Sequence, residues 1–121
     1  MSTLEVGRKL VSLCQEHRDA DALDILFAQD AVSVEAAATP GTPQEVRGID
    51  SIKAKSKWWT DNHEVHTANA EGPFPNGDRF AVRFSYDITR KATHERIKMD
   101  EIGLYTVRGD KIVREEFFYV T

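Results

Sequence analysis

The amino-acid sequence predicts an α+β fold, with three N-terminal helices packed on a strongly curved, mainly antiparallel sheet. Three observations lead there. Apolar residues recur at helical spacing as far as Trp59 and switch to strand-like alternation beyond it. Asn76-Gly77 and Gly109-Asp110 supply two glycine-containing links of the kind that close tight hairpins. Helices first and long strands afterwards is the order of an α+β arrangement, not of alternating βαβ units.

Each element has its own signal. Ser2 and Glu5 have capping-box spacing, and Val6, Leu10, Leu13, Cys14 and His17 form one stripe, which predicts a helix over 3–17. Asp19 or Asp21 caps a shorter second helix whose Leu23, Leu26 and Phe27 sit at i, i+3 and i+4. After Asp30-Ala31 a short strand is expected at VSVE, with Val32 and Val34 alternating against Ser33 and Glu35. Residues 36–47 carry two prolines and a glycine and read as a surface loop able to lid a cavity. Gly48 introduces a third helix, with Ile49, Ile52, Ser56 and Trp59 on one side and Trp58 at its edge. Strands near 63–71 and 79–90 flank the Asn76-Gly77 turn. In the second, Val82, Phe84, Tyr86 and Ile88 share one side and Ala81, Arg83, Ser85 and Asp87 the other. A lid-like RKATHER leads into the last hairpin.

That hairpin, Lys98 to Val120, raises the functional question. With Gly109-Asp110 as the turn, Arg108 pairs with Lys111. Leu104 then faces Glu115, Ile102 faces Phe117 and Asp100 faces Tyr119, with Thr106 and Val113 on the same side. Tyr105, Val107, Ile112, Arg114, Glu116 and Phe118 fall on the other. Glu115 is thereby set among apolar neighbours. Either it is a desolvated acid whose pKa rises towards the range useful for proton transfer, or the strand is bulged and Glu115 is solvated or paired with an arginine.

Composition bounds the rest. The chain has 121 residues, which fits a single domain over 1–121 with a core and room for a pocket. Its net charge of −4, with acids and bases interleaved, argues against a nucleic-acid module. No apolar run is long enough to span a membrane, and MSTLEVGRK lacks the apolar core of a signal peptide. The lone Cys14 cannot close an internal disulfide, fits a reducing cytoplasm, and lies on the helical stripe as a core residue.

Other candidates are weaker. Glu35, at the end of the first strand, is placed to reach a cavity mouth or to lie on the surface. Tyr86, Asp100 and Tyr119 are placed for the inner face near a pocket rim, and Trp59 as packing or pocket wall. His63-Glu64-Val65-His66 is one residue short of a zinc-binding HExxH. Arg108-Gly109-Asp110 is better read as turn chemistry than as an integrin-binding tripeptide. No phosphate loop, nucleophile elbow or dinucleotide fingerprint is present.

The segments LDILFAQDAVSVE, RGIDSIKAKSKWW, NGDRFAVRFSYD and GLYTVRGDKIVREEFFY together resemble the SnoaL-like branch of the nuclear transport factor 2-like superfamily, over nearly the whole chain. The resemblance implies a cone-shaped pocket of curved sheet closed by three helices. It also implies homodimers through the outer sheet face. Enzymes of this kind include ketosteroid isomerases, polyketide cyclases, epoxide hydrolases and dehydratases, in which a buried carboxylate moves a proton without metal or organic cofactor. Other relatives only bind or assemble. Glu35 matches the general base of the ketosteroid isomerases. Their buried acid aligns with Ile102, with Asp100 one step further on the same face, and their oxyanion tyrosine falls near Leu10 or Val11. Steroid isomerisation is therefore not expected.

The expected function is proton transfer by Glu35 and Glu115 on a small hydrophobic, carbonyl-bearing substrate, giving isomerisation, cyclisation or dehydration. Tyr86 and Tyr119 would be hydrogen-bonding walls, and Trp59, Phe84, Asp100, Ile102, Leu104 and Phe117 would complete the ligand pocket. The alternative is a non-catalytic hydrophobic-ligand-binding or dimeric scaffold protein. No cofactor, metal, nucleic acid or membrane is expected as partner. A homodimer is expected through Tyr105, Val107, Ile112 and Phe118 beside Arg114 and Glu116, in the cytoplasm.

Overall fold

The computed structural model describes residues 1–39 and 42–121. Helix α1 spans Thr3–Gln15 and opens with the expected capping box, the Glu5 amide donating to Ser2 Oγ at 3.1 Å and the Ser2 amide to Glu5 Oε1 at 3.4 Å. It stops two residues earlier than the apolar stripe. His17 takes a left-handed conformation (φ 59°), and the His17 and Arg18 amides donate back to the Cys14 and Leu13 carbonyls. This is a Schellman stop, so His17 ends the helix through its backbone. Helix α2 follows at Asp19–Leu26 without a side-chain cap, and α3 at Ile49–Asn62 starts from Gly48, whose φ of 87° suits glycine.

Strands β1 (Phe27–Val34), β2 (Glu45–Arg47), β3 (His63–Asn76), β4 (Arg79–Arg90), β5 (Glu95–Arg108) and β6 (Lys111–Phe118) form one open sheet in the order β2-β1-β6-β5-β4-β3. All neighbours are antiparallel except β1 and β6, so the sheet is mixed. Three helices on such a sheet confirm the α+β class. The expected 36–47 loop contains strand β2 and a Thr39–Thr42 bridge, and its Pro40-Gly41 tip lies outside the described residues. Strand β3 runs to Asn76, so Gly77-Asp78 form the turn, one residue later than expected.

The helices bury their apolar stripes against one side of the sheet, with Val6, Leu26, Ile52, Phe80, Val82, Ile88 and Ile112 fully enclosed. Gly7 permits the close approach of α1: a Cβ there would meet the Pro73 ring at 2.8 Å and the Phe80 ring at 3.1 Å. The two faces of β4 fall as expected, with Phe84 buried and Tyr86 half-buried on the inside.

The last hairpin departs from its expected register. Arg108 pairs with Lys111 and Val107 with Ile112, but the ladder then slips, so that Thr106 faces Arg114 and Tyr105 faces Glu115. The extra residue, Val113, is a β-bulge. It inverts β5 relative to β6. Glu101, Gly103, Tyr105 and Val107 point inward; Asp100, Ile102 and Leu104, expected on the pocket wall, point to the outer face. Tyr105, Val107 and Ile112, expected outside for dimer contact, are buried in the core, whereas Phe118 is exposed as expected.

Candidate active site

The parallel pairing of β1 with β6 sets Ser33 directly beside Glu115. Both point inward, because period-two alternation sends Val32 and Val34 to the outer face. Lys55, one turn along α3 from the buried Ile52, reaches down to them. The result is a continuous chain of side chains. Tyr119 donates to Glu35 Oε1 (3.1 Å); Lys55 Nζ donates to Glu35 Oε2 (2.9 Å) and to Ser33 Oγ (2.5 Å); Ser33 donates to Glu115 Oε1 (2.9 Å). The Lys55 ammonium also lies 5.6 Å from the centre of the Phe117 ring.

Burial decides the electrostatics. Glu115 is only 6% exposed, and its carboxyl is pushed up to about 7 by loss of hydration. Lys55 and the Ser33 hydrogen bond oppose that rise, and Glu35 adds to it. Glu101 is also pushed up to about 7, first by burial and then by repulsion from Glu35 and Glu115. The Tyr119 hydroxyl is raised to about 12 by burial and by neighbouring Glu35. Burial likewise raises Tyr86, Tyr105 and the Cys14 thiol, which packs against the core as expected. Among the described residues no enclosed side-chain oxygen lacks a partner. Glu115 Oε2 receives no hydrogen bond among these residues and is not one of the enclosed atoms, so it keeps a little accessible surface.

Of the expected site residues, the structure brings Glu35, Glu115, Phe117 and Tyr119 together. Trp59 stacks on His63 (4.5 Å) and leans on Tyr86 (5.4 Å), which in turn stacks with Phe84 (6.2 Å), so these aromatics form a packed wall beside the site. Asp100, turned outward, is hydrogen-bonded by Ser85 and Arg83. Lys55, Ser33, Glu101 and Tyr105 were not anticipated. The signal for Lys55 was present: it continues the Ile52–Trp59 stripe, where a lysine breaks the apolar run. Gly103 makes room for Tyr105, since a Cβ there would lie 2.8 Å from the Tyr105 ring and 3.0 Å from Phe84.

Two open depressions flank Tyr119. One, of about 280 Å³, is lined by Glu35, Gln44 and Phe117 among others; the second, of about 410 Å³, by Glu101, Arg83 and Ile102 among others. Glu115 lines neither and lies three hydrogen bonds beyond Glu35, through Lys55 and Ser33. No helix is long and apolar enough to cross a membrane among the described residues.

The architecture, three helices on an open mixed sheet of six strands, defines a protein of the α+β class. The model of the SnoaL-like domain family matches residues 1–119, and the chain belongs to that family. A Mesorhizobium loti protein, provisionally described as a SnoaL-like polyketide cyclase with carbohydrate phosphatase in brackets, is 43% identical. The match covers 98% of this chain and 100% of that one, with a TM-score of 0.93. A Bacillus subtilis protein provisionally called an isomerase has a TM-score of 0.76 at 19% identity, covering 96% of this chain and 84% of the other. A Catenulispora acidiphila protein of ketosteroid isomerase-like fold, solved with trimethylamine, has a TM-score of 0.73 at 20% identity, covering 95% and 85%. The last two likenesses speak to fold alone. No curated protein matches the chain.

Proposed function

We propose that the chain is a small-molecule enzyme that moves a proton between Glu35, as base, and Glu115, as acid, on a hydrophobic, carbonyl-bearing substrate. Isomerisation, cyclisation and dehydration share that step. The observation that carries the reading is the hydrogen-bonded chain from Tyr119 at the mouth to buried Glu115. It links one carboxylate held by two donors to one carboxyl that keeps its proton close to neutral pH, which is the division of labour that acid–base catalysis needs. The substrate enters at the Glu35 depression, with Tyr119 and Phe117 as walls. The bracketed phosphatase description of the Mesorhizobium loti protein does not transfer well, because the one cation of this hydrogen-bonded chain, Lys55, is already engaged by Glu35 and Ser33.

A second reading, a non-catalytic ligand-binding protein, is favoured by one observation: Glu35 is already tied to Lys55 and Tyr119, and Glu115 lines neither depression. Deuterium uptake from D₂O at the carbon next to the carbonyl, followed by NMR over a panel of cyclic and aromatic ketones, separates the two. The catalytic reading expects uptake above buffer, cut by about 10²–10⁴ in Glu35→Gln. Binding by saturation transfer without uptake for any ketone would establish the second reading instead.

The outer sheet face supports a homodimer, with a changed set of residues. Ile102 and Phe118 are cross-strand partners there, 39% and 50% exposed, beside Leu104. Phe118→Glu is expected to shift sedimentation from dimer to monomer; a wild-type chain that sediments as a monomer at micromolar concentration rules the dimer out.

A further inference from the structure

Glu115 has two oxygens in different surroundings, and the hydrogen bonds around Ser33 decide which one carries a proton. A serine hydroxyl has a single hydrogen and two lone pairs. The Lys55 ammonium, which can only donate, occupies the acceptor side of Ser33 Oγ at 2.5 Å. The Ser33 hydrogen is therefore committed to its remaining contact, Glu115 Oε1 at 2.9 Å. Ser33 is fully buried, so turning that hydrogen elsewhere would strand a donor without a partner. An oxygen that accepts a short hydrogen bond from this direction cannot also present its own proton along it. The carbonyl oxygen of a neutral carboxyl is the better acceptor, so the Ser33 hydrogen bond favours Oε1 as carbonyl and the proton on Oε2, which receives no hydrogen bond among the described residues and keeps a little accessible surface.

We infer that Lys55 and Ser33 are positioning residues that hold neutral Glu115 with Oε1 as carbonyl and Oε2–H on the accessible side, ready to donate to an acceptor oxygen of a ligand. This rests on the acid role proposed for Glu115 and adds how its proton is aimed. The favoured ligand presents a carbonyl, enolate or ether oxygen to the interior, and a ligand whose inward group is only a donor is refused. The geometry also explains the lysine. As a cation over Phe117 it holds Glu35 at one side and fixes the direction of the Ser33 hydrogen at the other.

The test needs no substrate, so its failure is separable from failure of the proposed reaction. Infrared difference spectra at pH 5, with Glu115→Gln as the reference that identifies the Glu115 band, report the carbonyl stretch of the protonated carboxyl. Ser33→Ala is expected to move that band to higher wavenumber, because the carbonyl oxygen loses its donor. A band that stays in place puts the proton on Oε1 and overturns the inference. Lys55→Met offers a second route should Ser33→Ala not fold. It frees the Ser33 hydroxyl to rotate, so the band is expected to broaden and shift, whereas Lys55→Arg restores it. Carboxyl NMR titration adds a double-mutant cycle. Lys55→Met raises the Glu115 midpoint, and the relay requires a smaller rise when Ser33 is already alanine. Equal rises in both backgrounds mean that Lys55 acts on Glu115 by direct attraction alone, which also overturns the inference.

Discussion

Asp100 and Glu101 are neighbours in the chain and opposites in behaviour. Strand alternation turns Asp100 outward, where Ser85 and Arg83 hold its carboxyl below the usual range, and Glu101 inward, where burial lifts it to about 7. The contrast extends over the sheet. On the outer face Asp87 is gripped through both oxygens by Arg96 at 3.0 Å and its pKa falls; on the inner face Glu115 is held by one serine and its pKa rises. The same functional group is stabilised as an anion on one side and as a neutral acid on the other. Access of water, more than the number of partners, decides which.

The contrast can be broken at three places. The largest effect is expected from Glu115. Below pH about 4.5 the folded and unfolded chains both hold its proton. Between there and about 7 only the folded chain does, so this group makes stability fall as pH rises, and the loss is complete above about 7. The shift corresponds to roughly 3 kcal/mol. Glu115→Gln, which keeps the Ser33 hydrogen bond, should be more stable than wild type by that order at pH 8 and show no advantage at pH 4.5. Urea midpoints at the two pH values measure it, and parallel pH profiles for the two proteins would contradict it. Gly103→Ala comes next. Its methyl group would displace the Tyr105 and Phe84 rings from the inner wall, with an expected loss of about 1–3 kcal/mol in the same assay. The smallest effect belongs to the outer face: Arg96→Ala removes an exposed bidentate pair, and its urea midpoint should be indistinguishable from wild type in salt. A large loss there would mean that Arg96 is covered, which would extend the proposed dimer contact beyond Ile102 and Phe118.

The fold was legible where one rule governs each element. The capping box of α1, the third helix after Gly48 and the alternation of β4 all follow from local chemistry. The site was half legible. Glu35 and Glu115, which the structure links through Lys55 and Ser33, drew notice because a carboxylate at a strand end or on an apolar face stands out. The partners of Glu115 were missed because counting back from a hairpin turn assumes an unbroken ladder, and the bulge at Val113 breaks it. Pattern pointed the wrong way as well: Ile102 and Leu104 look more like an inner face than Glu101, Gly103 and Tyr105 do. Only packing explains the choice, since Gly103 provides the space that the Tyr105 ring fills. Ser33 carried no signal, because a small polar residue between two valines is ordinary in a strand.

The lone parallel pairing, β1 with β6, has a consequence for how the molecule is made. Strands β3 to β6 form a meander of consecutive hairpins, each able to close over a short loop. The Ser33–Glu115 contact joins residues 82 apart in sequence, so the entropy of closing it is met only once much of the chain is in place. Glu115 therefore gains its hydrogen-bond partner late in folding. The titration of one carboxyl becomes a reporter of complete assembly: a chain that has built its hairpins without docking β1 would show Glu115 as an ordinary glutamate.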